Sequence, residues 1–161
     1  MEGMKLLKPF DIDLSGINLV EASAGTGKTY NITSLYIRAL IEQDISVGQI
    51  LVVTYTEAAT KELKDRLLSR IRESIEVLKS GRVDNESDDF LENLLTEVDH
   101  PPKAVTKLEK AVRMFDEASV YTIHGFCYQA LQEQAFESRA MYDAEMIGDD
   151  EELVQEAVDD F

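Results

Sequence analysis

One cysteine, no tryptophan and three prolines in 161 residues remove several classes of protein at once. A lone Cys127 cannot close an internal disulfide, which excludes a disulfide-stapled secreted domain and fits a reducing cytoplasm. No apolar run approaches the roughly 20 residues a membrane-spanning helix needs. Met1–Phe10 also lacks the apolar stretch of a secretory signal. A soluble, cytoplasmic protein with no membrane partner is the expectation. No second Cys or His stands at metal-ligand spacing from Cys127 or His124, so a zinc site is not expected. Basic charge is scarce too: 16 Lys and Arg face 32 Asp and Glu, a net charge of −16. A protein that coats nucleic acid through its overall field is basic, so that class is excluded. The deficit is uneven, because residues 140–161 hold nine carboxylates and no Lys or Arg. Removing those nine from −16 leaves −7 over residues 1–139, where a local neutral or basic groove is still compatible with the composition. At 44% hydrophobic the chain can close one ordinary core.

What the chain does have is Ala22-Ser23-Ala24-Gly25-Thr26-Gly27-Lys28-Thr29, set between an apolar run at Ile17–Val20 and a helix-compatible segment from Tyr30 to Ile41. Strand, glycine loop and helix in that order are the context of a phosphate-binding P-loop. Glycines at 25 and 27 let the backbone turn tightly and aim successive N–H groups at phosphate oxygens. The helix start adds its unpaired N–H groups and positive dipole end. Lys28 is then the cation for the β- and γ-phosphates, and the Thr29 hydroxyl a ligand for Mg²⁺ carried in with ATP. Ala22 stands where the strict pattern has glycine, and its methyl is small enough for the turn. The alternative is a plain glycine turn between strand and helix.

Further elements follow in order. Pro9 and Gly16 break the lead-in, and Phe10 reads as core in preference to a neighbour of adenine. Ile32, Leu35, Tyr36, Ala39 and Leu40 give the helix after the P-loop one buried face. Ile50–Val53 is a continuous apolar run, the pattern of a parallel strand buried on both faces. Thr56 is placed to cap a helix from Glu57, with an apolar stripe at Ala59, Leu63, Leu67, Ile71, Ile75 and Leu78 and a stop near Gly81. Lys61, Lys64, Arg66, Arg70 and Arg72 share that helix with as many acids and read as its solvated face. Residues 81–116 look like a helical insertion: an acidic loop, a short helix around Phe90–Val98, a stop at His100-Pro101-Pro102, and an amphipathic helix over Lys103–Phe115. Ala118–Ile123 reads as a third strand, closed by His124-Gly125-Phe126 and followed by a helix from Cys127 to Phe136. Cys127 itself reads as a small buried residue. Asp149–Phe161 looks helical and stops on a buried-type residue without a terminating signal, an ending expected of a chain that continues.

Ligands of open α/β sheets collect beyond the carboxyl ends of the strands. Two of those ends, Thr54-Tyr55-Thr56 and Thr122-Ile123-His124-Gly125-Phe126, pair hydroxyls with rings. Hydroxyls and helix N-termini suit phosphates and rings suit bases, so both clusters are candidates for a single DNA strand. Each also has a plainer reading, as an ordinary strand end, with His124 a capping or core histidine.

The three stretches Ala22–Thr29 (ASAGTGKT), Val52–Leu63 (VVTYTEAATKEL) and Ala118–Cys127 (ASVYTIHGFC) resemble the superfamily 1 DNA helicases of the UvrD group, most of all the RecB-type helicase–nucleases within it. The likeness extends to Gln134-Ala135-Phe136-Glu137-Ser138. It implies ATP and Mg²⁺ at Ala22, Ser23, Ala24, Gly25, Thr26, Gly27, Lys28 and Thr29, with Lys28 and Thr29 the catalytic pair. It implies DNA contacts at Thr54, Tyr55, Thr56, Thr122, His124 and Phe126, where Tyr55 replaces a more usual Phe and keeps a ring. The implied fold is α/β: a P-loop, RecA-like parallel sheet flanked by helices, here an incomplete motor domain. Residues 1–139 would begin the first motor domain, and 140–161 the acidic start of an inserted helical domain. The implied role is ATP-dependent unwinding and degradation of double-stranded DNA ends in recombinational repair, beside other subunits of a RecBCD-like complex. Alternatives are another UvrD- or AddA-like motor, or a stand-alone P-loop interaction module with an acidic tail. No apolar strand ends in an Asp-Glu pair; Asp149-Asp150-Glu151 follows only Met146-Ile147-Gly148. Without that metal-holding carboxylate, the chain by itself is expected to bind nucleotide without hydrolysing it.

Overall fold

The computed structural model describes residues 7–21, 27–83 and 88–133. It divides into two compact units, Met1–Tyr121 and Thr122–Phe161, and each is described by itself. The expected helix over Asp149–Phe161, the acidic stretch from 140 and Gln134–Ser138 lie outside the described residues.

The first unit is built on helices. α1 (Lys28–Glu42), α2 (Glu57–Ser80), α3 (Asp89–Glu97) and α4 (Pro101–Arg113) pack on one another. α2 has the boundaries its sequence demands. The Thr56 hydroxyl accepts from the Ala59 N–H at 3.1 Å, and Gly81 closes the helix in the left-handed region at φ 67°. Asp88 caps α3 by accepting from the Leu91 N–H at 3.3 Å. α4 starts on Pro101, whose missing N–H costs nothing in a first turn, so His100-Pro101-Pro102 both ends one helix and opens the next. Ile37, Leu67, Ile71, Phe90, Leu94 and Leu108 are fully buried where these helices meet. Phe10 joins them, half-buried and stacked on Phe90 with ring centroids 5.2 Å apart, as its core reading requires.

Four expectations need correction. Ile17–Val20 is not a strand: it pairs with no other segment among the described residues, and Ile17 and Leu19 are 101% and 85% exposed. The described sheet has two parallel strands, β1 (Val52–Thr54) and β2 (Val120–Thr122), so β1 is not covered on both faces and Val53 remains 41% exposed. A strand's N–H and C=O groups need a neighbour at each edge, and two strands leave two open edges. On α1, Ile32 faces outward, while Thr33, Ser34 and Arg38 take buried positions beside Tyr36, Ile37 and Leu40. On α2, Arg70 does not belong to the solvated face; it is 6% exposed and lies on the seam with Leu63, Leu67, Ser74 and Val77. The remaining charges behave as read, with Arg66 paired to Glu62 one turn earlier at 2.5 Å.

In the second unit α5 (Ile123–Glu133) begins directly after β2. His124, Gly125 and Phe126 are therefore in its first turn and not in a loop before it. Cys127 is exposed, contrary to its buried reading, because α5 shows no buried residue in this unit.

Candidate functional site

Of the P-loop, Gly27, Lys28 and Thr29 are described; Ala22, Ser23, Ala24, Gly25 and Thr26 lie outside the described residues. Gly27 is the N-cap of α1 in the left-handed region at φ 80°, a conformation that strains any residue carrying a Cβ. The nearest atom to a Cβ built there is Tyr30 Cβ at 4.0 Å, so the glycine serves the backbone turn and does not relieve a clash. Lys28 and Thr29 are the first two residues of a 15-residue helix. Among the described residues no side chain caps that helix start and no acidic residue occupies its first turn, an arrangement that favours an anion at its N–H groups and positive dipole end. Gly27, Lys28 and Thr29 thus fit a nucleotide's phosphates by the chemistry of their donors.

The next residue anchors this turn. The Tyr30 hydroxyl donates to Asp88 Oδ1 at 2.9 Å and accepts from the Phe90 N–H at 2.9 Å. Asp88 in turn receives both terminal nitrogens of Arg70, Nη2 reaching Oδ1 at 2.9 Å. The Arg70 guanidinium lies 5.0 Å from the Tyr30 ring centroid and 4.9 Å from that of Phe90. Burial alone would push the Asp88 carboxyl up, but the hydrogen bonds and charge of Arg70, with help from Tyr30 and the Leu91 N–H, hold it below the ordinary carboxylate range. Burial, with the neighbouring Asp88, raises the Tyr30 phenol, which keeps it a proton donor. A cavity of about 220 Å³ opens here, lined by Thr29, Tyr30, Thr33, Arg66, Ser69 and Arg70, with Glu73 at its rim.

At the end of β1, two of the three predicted contacts are occupied with local structure. Thr54 Oγ1 lies 2.6 Å from Thr60 Oγ1, and Thr56 caps α2. Tyr55 stands between them, 87% exposed with its ring free of any stacking partner among the described residues. In the second unit the buried Thr122 plays the part of Thr56: its hydroxyl accepts from the Gly125 N–H at 3.0 Å and so caps α5. A Cβ on Gly125 would lie 3.1 Å from that hydroxyl, a tight contact that the capping threonine would have to yield to. His124 and Phe126 are exposed in the first turn it caps. Each cluster thus has a threonine that caps a helix and a ring exposed beside that helix N-terminus.

Residues 7–160 match the family model of the UvrD/REP helicase N-terminal domain. The chain belongs to that family. Among curated relatives, this UvrD/REP domain is 41% identical over 163 residues to RecBCD enzyme subunit RecB of Escherichia coli K12, covering 96% of the chain and 14% of that protein. It is 38% identical over 167 residues to RecB of Haemophilus influenzae, again 96% against 14%. Identity to RecB of Mycobacterium tuberculosis H37Rv is 31% over 161 residues, 99% of the chain and 14% of the relative. The chain therefore spans about a seventh of the length of these relatives.

Sequence reasoning missed Tyr30, Arg70 and Asp88. A signal was present: Thr60, Leu63, Leu67, Arg70, Ser74 and Val77 repeat at three- and four-residue spacing, which puts Arg70 on the buried seam of α2. Asp88 also stands where an N-cap belongs, ahead of Phe90-Leu91. Their meeting with Tyr30 was not legible, since 58 residues separate it from Asp88. Among the described residues no cluster of His, Cys, Asp or Glu is arranged to hold a metal ion, and no helix is long and apolar enough to cross a membrane.

Proposed function

We propose that this chain is the ATP-binding opening part of a RecB-like, ATP-dependent DNA helicase and exonuclease acting on double-stranded DNA ends in recombinational repair. The reading rests on one observation above the others: a left-handed Gly27 delivers Lys28 and Thr29 to the uncapped N-terminus of α1 in a family whose members are helicases. Residues 1–139 then belong to the first RecA-like P-loop motor domain, with the helices of 81–116 as its insertion and 140–161 leading into the next. The other RecBCD subunits are its partners, as the relatives' names suggest.

Each residue has a stated task. Ala22 to Gly27 would supply backbone N–H groups to the phosphates, Lys28 would neutralise their charge, and the Thr29 hydroxyl would hold Mg²⁺. ATP supplies the free energy of its γ-phosphate when bound. Tyr55 and Phe126 stack on bases of the translocating strand, while Thr54, Thr56, Thr122 and His124 set the helix N-termini against its phosphates. None of the strands read from the sequence ends in an Asp-Glu pair, so the chain alone binds nucleotide without turnover.

Equilibrium titration with a fluorescent ATP analogue and Mg²⁺, with and without oligo-dT, tests this. Lys28→Ala weakens nucleotide binding about tenfold or more, the loss of a charged hydrogen-bond partner. Tyr55→Ala and Phe126→Ala each weaken oligo-dT binding by about 1–3 kcal/mol and leave nucleotide affinity in place. Wild-type binding that ignores Lys28→Ala, or phosphate release by 1–161 that Lys28→Ala abolishes, counts against the reading.

A further inference from the structure

Tyr30 is two residues beyond Lys28, yet its hydroxyl is spent on α3 and not on solvent: it bridges Asp88 and the Phe90 N–H, each at 2.9 Å. Asp88 is clamped by Arg70 of α2 while capping α3. Arg70 is 6% exposed, and among the described residues its Nε has no hydrogen-bond partner, while its terminal nitrogens reach Asp88 and Glu73 and its guanidinium lies over the two rings. Two helices, α2 and α3, thus converge on the first turn of α1 through one phenol.

We propose that Tyr30, Asp88 and Arg70 are positioning residues that hold the first turn of α1, and with it Lys28 and Thr29, in the geometry that binds triphosphate. This rests on the nucleotide reading above and adds to it a dependence of phosphate affinity on the helical insertion. The physical basis is preorganisation. A helix end frays unless tied, and donors aimed before the anion arrives do not have to be ordered by it. The Tyr30 hydroxyl supplies the tie from α1, and the Asp88–Arg70 pair makes the tie rigid because both partners are mostly buried.

The test uses the 1–161 chain and Tyr30→Phe, which keeps the ring against Arg70 and removes the two hydrogen bonds of the hydroxyl. MgATP and inorganic tripolyphosphate compete for a fluorescent ATP analogue, and amide exchange is read over residues 28–31. Expected are roughly three- to tenfold weaker affinities for both ligands, the worth of one or two net hydrogen bonds, and faster exchange of those amides. Asp88→Asn keeps a capping side chain and loses the charge; combined with Tyr30→Phe it adds less than the sum of the two. Leu94→Ala, at a fully buried position of α3 that is not one of the three brace residues, lowers Tm more than Tyr30→Phe and leaves affinity unchanged. Unchanged affinity in Tyr30→Phe overturns the brace while the nucleotide reading stands. An equal loss in Leu94→Ala also overturns it, since general destabilisation is then the cause. Failure of the wild type to bind either ligand overturns the nucleotide reading and the brace with it.

Discussion

Two sets of apolar residues in the first unit differ sharply in burial. Ile37, Leu67, Phe90 and Leu94 are fully buried among α1–α4, whereas Ile17, Leu19, Leu51 and Val53 stand 101%, 85%, 46% and 41% exposed. A helix closes its own backbone hydrogen bonds and needs a neighbour for one stripe alone, and residues 28–113 contain those neighbours. A strand closes none of its bonds alone and is finished by the strands on either side. An apolar run therefore reports a demand for burial. Whether the demand is met depends on where the neighbours are, and here the helices meet theirs.

The contrast can be broken or sharpened by substitution. Phe90→Ala removes the ring on which Phe10 and Arg70 rest and costs about 3–5 kcal/mol, read as a lower denaturant midpoint. Asp88→Ala strands the buried Arg70 charge and costs about 3 kcal/mol. The same pair gives a pH signature. The folded-state pKa of Asp88 lies below its unfolded value, so its contribution is complete above about pH 4 and disappears as pH falls through the lowered pKa. An acid-unfolding curve that is unchanged in Asp88→Asn argues against this. Thr56→Ala costs about 1 kcal/mol through the lost cap of α2. Leu19→Ser, on the strand side, changes stability by less than about 0.5 kcal/mol; a larger loss means that this segment is packed in solution and the two sides are more alike than described.

Much of the architecture was readable because it is local. Thr56 and Gly81 bound α2 from both ends, through hydrogen-bond and dihedral rules that operate within a few residues; Pro101, read as part of a stop, proves also to open α4. The candidate site divides the same way. Gly27-Lys28-Thr29 at a helix start follows from backbone chemistry, and Tyr55 beside a strand end from its position. The threonines also have a partner inside the chain: the Thr56 and Thr122 hydroxyls accept from the N–H groups of Ala59 and Gly125, because a helix start needs an acceptor before any ligand arrives.

By itself, the sequence determined the boundaries of α2, the glycine turn into Lys28 and Thr29, and family membership, since each is carried by short stretches of chain. Tertiary structure alone decided that Arg70 is buried, that Tyr30 reaches Asp88 and Phe90, and that Ile17–Val20 pairs with nothing described. Those outcomes depend on which segments meet across tens of residues, and burial, pairing and charge compensation are properties of the meeting, not of either partner.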